Sequence, residues 1–258
     1  MVFQTCYLFQ LDHQPYFYGF VFFGTLCSYN FHWFLTPAKV ADHATSLKVQ
    51  WSQRHRQLHA ALALVSLAAS LYFLLHLWPH LLWLLVTALF TFLYTAPKLP
   101  FPPFIKLRKV AYGKTVFLSL AWMHITTMLP LLVTVVNWQL PHYLFALNRF
   151  FLIYAICILF DLRDRKRDRE EGIRSMITEF SLLQVDVLFI GVLVVFFMTN
   201  AWLALYFSPG FTAGLLLPGL LLAVYYNWFK AQRSDYVYYF ILDGLMIFSL
   251  PLLLLFQF

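Results

Sequence analysis

Apolar runs of about twenty residues recur from one end of this chain to the other, and connections rich in Lys and Arg separate every second pair of them. Twenty residues of helix rise about 30 Å, the thickness of a bilayer's hydrocarbon core. With 62% of its 258 residues hydrophobic, 11% charged and a mean hydropathy of +0.72, the chain could not hide so much apolar surface in a water-soluble core. Residues 1–258 therefore read as one all-α domain, a polytopic transmembrane helical bundle.

Polar punctuation places helices at 15–35, 58–77, 80–96, 111–135, 141–160, 179–199, 211–229 and 236–257. A shorter apolar piece, Val2 to Leu11, precedes them and is too short to cross a bilayer. It has no basic start and no small-residue cleavage site, so it does not read as a signal peptide. It reads as a re-entrant or interfacial segment, or as the first of nine helices, incomplete at its N-terminus. Cys6, Cys27 and Cys157 all lie in apolar runs without C-x-x-C spacing, which indicates neither a disulfide framework nor a zinc site.

Orientation follows from the basic residues. Of the 18 Lys and Arg residues, 17 fall in four alternate connections, and the connections between those carry none. By the positive-inside rule the basic loops are cytoplasmic and the C-terminus ends on the other side of an inner cell membrane. The +7 net charge is then a consequence of topology and of contact with membrane lipid; a nucleic-acid partner is not expected.

The third basic connection holds the chemistry. Residues 160–176 read FDLRDRKRDREEGIRSM and gather five of the chain's eleven acids. If the preceding helix runs on, Asp161, Asp164 and Asp168 fall within about 60° of one face, because each residue turns about 100°. Three carboxylates so placed repel one another without a cation. Mg²⁺ takes one or two carboxylates and completes its shell with substrate phosphates, and the interleaved arginines can neutralise further phosphate charge. The alternative is a solvated stretch whose acids and bases pair with each other.

The stretch closely resembles the second aspartate-rich motif of the UbiA superfamily of intramembrane prenyltransferases, D-x-x-D-x-x-x-D-x-x-x-G followed by a basic residue and Ser or Thr. Asp161, Asp164, Asp168, Gly172, Arg174 and Ser175 stand at matching positions. Upstream, LYTAPKLPFPPFIKLRKVAYGKTVFLSLAW resembles that family's tyrosine-bearing helix end (Tyr94), its basic loop (with Lys106) and the helix that follows. The first family motif, N-D-x-x-D, is degenerate: in YNFHWFLTP, Asn30 is in place, but Phe31 and Phe34 stand where the aspartates belong, with His32 or Asp42 as partial substitutes.

The resemblance implies ionisation of an isoprenoid diphosphate with Mg²⁺ and transfer of the allylic cation to a lipophilic acceptor. It implies Asp161, Asp164 and Tyr94 as catalytic residues and Asp161, Asp164 and Asp168 as metal ligands. Asn30, Arg163, Arg167, Arg174 and Lys106 would contact the substrate. The missing first-motif aspartates keep a second expectation open, a non-catalytic member that binds lipid or a protein partner.

Three ionisable residues interrupt apolar runs: Arg149, Asp186 and Asp243. A charge in the bilayer is costly, so each is expected to face the bundle interior, a cavity or a partner, with Arg149 alternatively snorkelling to headgroups. The run Ser52 to His59, with Arg54, His55, Arg56 and His59, reads as a basic connection able to hold a diphosphate or anionic lipid heads.

Overall fold

The computed structural model describes residues 1–36, 47–96, 101, 114–134, 137–170, 172 and 174–255, and every regular element among them is helical. These residues belong to two compact units, Met1–Leu11 with Arg108–Phe258, and Asp12–Leu107.

The smaller unit contains α2 (Pro15–Phe34), α3 (Leu47–Arg54), α4 (Arg56–His76), a single 3-10 turn at Trp78–His80 and α5 (Leu81–Thr95). Pro15 opens α2 at its first helical position, where a missing N–H costs nothing. α2 and α4 pack closely because small residues line their seam. Ala63, Ser66 and Ser70 are buried on α4, and Gly19 of α2 lies under the Phe73 ring, where an added Cβ would stand 2.7 Å from it. The other side of α4 presents Leu64, Val65, Leu71 and Leu75, all exposed. An apolar outer face of this kind suits lipid rather than water.

The larger unit begins with α1 (Val2–Leu8), the short N-terminal piece, which is helical. Then come α6 (Lys114–Met123), a π-helical turn at His124–Met128 and α7 (Leu129–Thr134), one after another along a single rod. Pro130 has no N–H to offer the Thr126 carbonyl four residues before it, and the Thr5 hydroxyl of α1 donates to that carbonyl at 2.7 Å. α8 (Leu140–Glu170) is the central helix of this unit: Ile153, Ala155, Ile156, Ile158 and Leu159 are fully buried in its main core. Beside it run α10 (Leu182–Leu203) and α11 (Pro209–Val224), with the four-residue α9 (Met176–Glu179) before them. After them come α12 (Tyr226–Ala231), a π-helical segment at Val237–Leu242 and α13 (Asp243–Leu255).

α10 shows how the unit sorts its faces. Val185, Phe189, Val192 and Phe196 are buried, while Leu183, Val187, Ile190, Val194 and Met198 form an exposed apolar stripe. Ser181 starts the helix through a capping box with Gln184, satisfying two otherwise orphaned N–H groups. A polar tie joins it to α8: Asn148 donates to the Phe196 carbonyl and the Thr199 hydroxyl, each at 3.2 Å.

Among the described residues, four helices are long and apolar enough to cross a membrane: Arg56–His76, Thr115–Thr134, Leu140–Glu170 and Leu182–Leu203. Helices occupy the apolar runs, with three differences, the first being that the run expected as one helix at 211–229 is two, α11 and α12. α8 runs on through the aspartate motif instead of stopping at residue 160, and α3 occupies part of a connection read as loop.

Candidate functional site: the aspartate face of α8

α8 is 31 residues long. At 1.5 Å per residue it spans about 46 Å, well beyond the roughly 30 Å that an apolar segment needs. The surplus is the aspartate motif, carried as helix past the apolar run. Gly172 ends this stretch with φ +68°, a left-handed conformation that glycine adopts without a Cβ penalty, and its N–H donates to the Arg169 carbonyl at 3.1 Å.

The three carboxylates share a face but not an environment. Asp161 is buried and accepts a hydrogen bond from the Thr115 hydroxyl at the start of α6. Asp168 is buried more deeply, at 2% exposure. Asp164, between them, is ringed by guanidinium: Arg163 donates to its two oxygens at 2.9 and 3.2 Å, and Arg167, one turn on, approaches at 3.0 Å. Asp161 and Asp168 lie seven residues apart, about 10.5 Å along the axis, so one ion can reach two of the three. Consistently, no group of three or more His, Cys, Asp or Glu converges as a metal site among the described residues.

Arg163 is the most enclosed of the motif's arginines. Its guanidinium lies 4.5 Å from the Tyr238 ring centre, 5.0 Å from Tyr239 and 5.3 Å from Phe160. It also donates to the Tyr239 hydroxyl at 3.2 Å and lies 3.6 Å from Asp235. Cation–π contact and a carboxylate fork together fix its plane. Arg165 and Arg169 do different work: they donate to the carbonyls of Phe180 and Thr178, tying the end of α8 to the capped turn that follows. Arg174 is exposed and stands 3.8 Å from Glu179.

The remaining expected site residues fall elsewhere. Asn30, in the smaller unit, is 6% exposed. Its Nδ2 donates to the Leu26 carbonyl at 2.8 Å, and its Oδ1 faces His59 Nδ1 at 2.8 Å, so the amide is engaged at both ends. Phe34, which stands in place of a first-motif aspartate, lies under the Arg56 guanidinium at 4.7 Å, and Phe31 is 38% exposed. Tyr94 sits near the end of α5, and its side chain lies outside the described residues, as do Lys106 and Asp42.

Arg149 does not snorkel. It is 2% exposed, with Nη2 on the Gln4 amide oxygen, Nη1 3.3 Å from the Met246 carbonyl and its guanidinium 5.0 Å from the Phe145 ring centre. Asp186 pairs with Lys230 and accepts from Tyr226 at 2.6 Å. Both residues tie helices together.

Sequence reasoning missed Thr115, Asp235, Tyr238 and Tyr239. The tyrosines had a signal, the aromatic run YVYYF just after Asp235 in a basic connection. Thr115 had none, since its partner lies 46 residues away.

Comparison with protein-family models, with curated proteins and with solved structures gives no match. The likeness to the UbiA superfamily therefore rests on the motif residues themselves. What the helices and their apolar outer faces define is a helical membrane protein with several candidate spans.

Proposed function

We propose that the aspartate face of α8 anchors the diphosphate head of an isoprenoid, and that the chain is a divergent prenyltransferase acting at the cytoplasmic surface of a membrane. The observation that carries this reading is the continuous helix past residue 160, which puts Asp161 and Asp164 one turn apart on one face with Arg163 and Arg167 beside them. Mg²⁺ suits this donor set, because it ordinarily takes one or two carboxylates and leaves the rest of its octahedron to phosphate and water. Asp161 and Asp164 would hold it, and when bound it would neutralise charge on the departing diphosphate. Arg167 is the more exposed arginine on Asp164 and is placed to exchange that carboxylate for a phosphate oxygen. The lipid tail would extend among the apolar helices, and a lipophilic acceptor would meet the allylic carbon away from water.

A second reading has an observation of its own. Asp164 is already neutralised by two arginines, and Arg165 and Arg169 are committed to backbone carbonyls, so the motif can stand as a self-paired cluster in a non-catalytic protein that binds lipid or a partner. Release of inorganic diphosphate from farnesyl diphosphate by the protein in lipid vesicles, with and without Mg²⁺, separates the two. The prenyltransferase reading expects Mg²⁺-dependent release that Asp161→Asn abolishes. Release no faster than from empty vesicles favours the second reading.

A further inference from the structure

Ser52, His59 and Asn30 form a hydrogen-bonded chain from three helices of the smaller unit. Ser52 Oγ lies 2.9 Å from His59 Nε2, and His59 Nδ1 lies 2.8 Å from Asn30 Oδ1. All three residues are buried, at 3%, 8% and 6% exposure. The proton positions follow from the far end. Asn30 Nδ2 donates to the Leu26 carbonyl, which turns its oxygen toward the imidazole. An amide oxygen only accepts, so His59 Nδ1 carries the hydrogen and Nε2 presents its lone pair to the Ser52 hydroxyl. This is the polarity of a nucleophile, its base and the group that orients the base.

We propose that Ser52 is an acyl-accepting nucleophile, with His59 as its general base and Asn30 as the positioning residue, and that the substrate class is a carboxylic ester delivered from the membrane. Ser52 Oγ attacks the ester carbonyl carbon while its proton passes to His59 Nε2. The tetrahedral intermediate then collapses, the carbon–oxygen bond to the alcohol breaks, and His59 returns the proton to the leaving alkoxide. Water, or a second alcohol, attacks the acyl-serine with His59 again taking and returning one proton. Arg56, in the first turn of α4 three residues before His59 and with its guanidinium over the Phe34 ring at 4.7 Å, would supply charge for the oxyanion. Its Nε is fixed on the Phe34 carbonyl at 2.9 Å, one turn along α2 from Asn30, and its terminal amino groups make no hydrogen bond among the described residues. The exposed Trp51 beside Ser52 and the exposed Arg54 suit an interfacial lipid with an anionic head. This site shares no residue with the aspartate face of α8 and stands or falls separately from it.

The full chain in lipid nanodiscs is treated with a small alkyl fluorophosphonate, and adducts are located by peptide mass spectrometry. The proposal expects an adduct on Ser52. It expects the labelling rate to fall at least about 100-fold in His59→Gln, the contribution ordinarily made by a general base. Asn30→Asp, which keeps an acceptor on Nδ1, is expected to label within tenfold of the parent, and Asn30→Leu is expected to lose labelling as His59→Gln does. Because buried-site variants can lose their fold, the parent chain alone also decides. Ser52 left unmodified in the folded parent, or modified equally fast after denaturation in dodecyl sulfate, overturns the proposal and leaves the triad as a tie among three helices.

Discussion

The Thr115 hydroxyl donates to Asp161 Oδ2, joining the start of α6 to the first carboxylate of the motif. Both residues are buried, at 2% and 8% exposure, so water cannot easily replace either partner. Thr115→Val keeps the shape and removes the donor. Stripping a buried acceptor of one bond costs about 1–3 kcal/mol, more when it is charged. The expected result is a lowered unfolding midpoint in detergent for Thr115→Val and near-parent stability for Thr115→Ser.

Arg163 is held by a carboxylate fork and by three aromatic rings, which an ammonium cannot reproduce. Arg163→Met removes both kinds of contact but leaves Arg167 on Asp164. The expected loss is roughly 2–3 kcal/mol, below the 3–5 kcal/mol of a buried pair stripped of its only partner. Arg163→Lys should recover less than half of it, as read by chemical denaturation in mixed micelles.

Gly219 is required by close approach. A Cβ there would stand 2.1 Å from Phe196 Cε1, and Phe196 is fully buried between α10 and α11. Gly219→Ala should cost about 1–3 kcal/mol through overpacking, and Phe196→Leu in the same chain should restore part of it. Gly191→Ala, with nothing within 4 Å of its Cβ, should be neutral or slightly stabilising. Thermal unfolding of the three variants beside the parent checks the pattern.

Arg149 and Gln4 should respond in opposite ways. Arg149→Met removes a buried charge at similar volume, an exchange that is often neutral or stabilising. Gln4→Leu instead leaves the guanidinium without its amide partner and should cost about 1–3 kcal/mol. The reverse order of unfolding midpoints would contradict the assignment of Arg149 as a tie between α1, α8 and α13.

The long elements were legible because length and apolarity alone nearly specify a bilayer-spanning helix, and most observed boundaries fall within a few residues of the expected ones; the end of α8, ten residues on, and the break between α11 and α12 do not. The shared face of Asp161, Asp164 and Asp168 was legible for a similar reason, since helical periodicity sets it once the helix is continuous. Gly172 after the motif marked the stop. What the sequence hid is long-range pairing. Nothing local to Asn30 says that its amide is turned to His59, 29 residues on, and nothing local to Thr126 says that Thr5 reaches its carbonyl. The fourfold role of the motif's arginines was equally hidden: two answer Asp164 and two answer backbone carbonyls at the following turn. α3 escaped because eight residues rich in polar side chains look like any basic connection.

The central proposal is a metal-dependent diphosphate anchor at the aspartate face. Its direct measurement is the affinity of the purified protein for farnesyl diphosphate, with Mg²⁺ and with EDTA, in the parent, Asp161→Asn and Asp164→Asn. Binding is expected to weaken at least about tenfold, or 1.4 kcal/mol, on removal of Mg²⁺ and in each variant with Mg²⁺ present. Equal, metal-independent binding in all three proteins would contradict it and leave the motif a self-paired charge cluster.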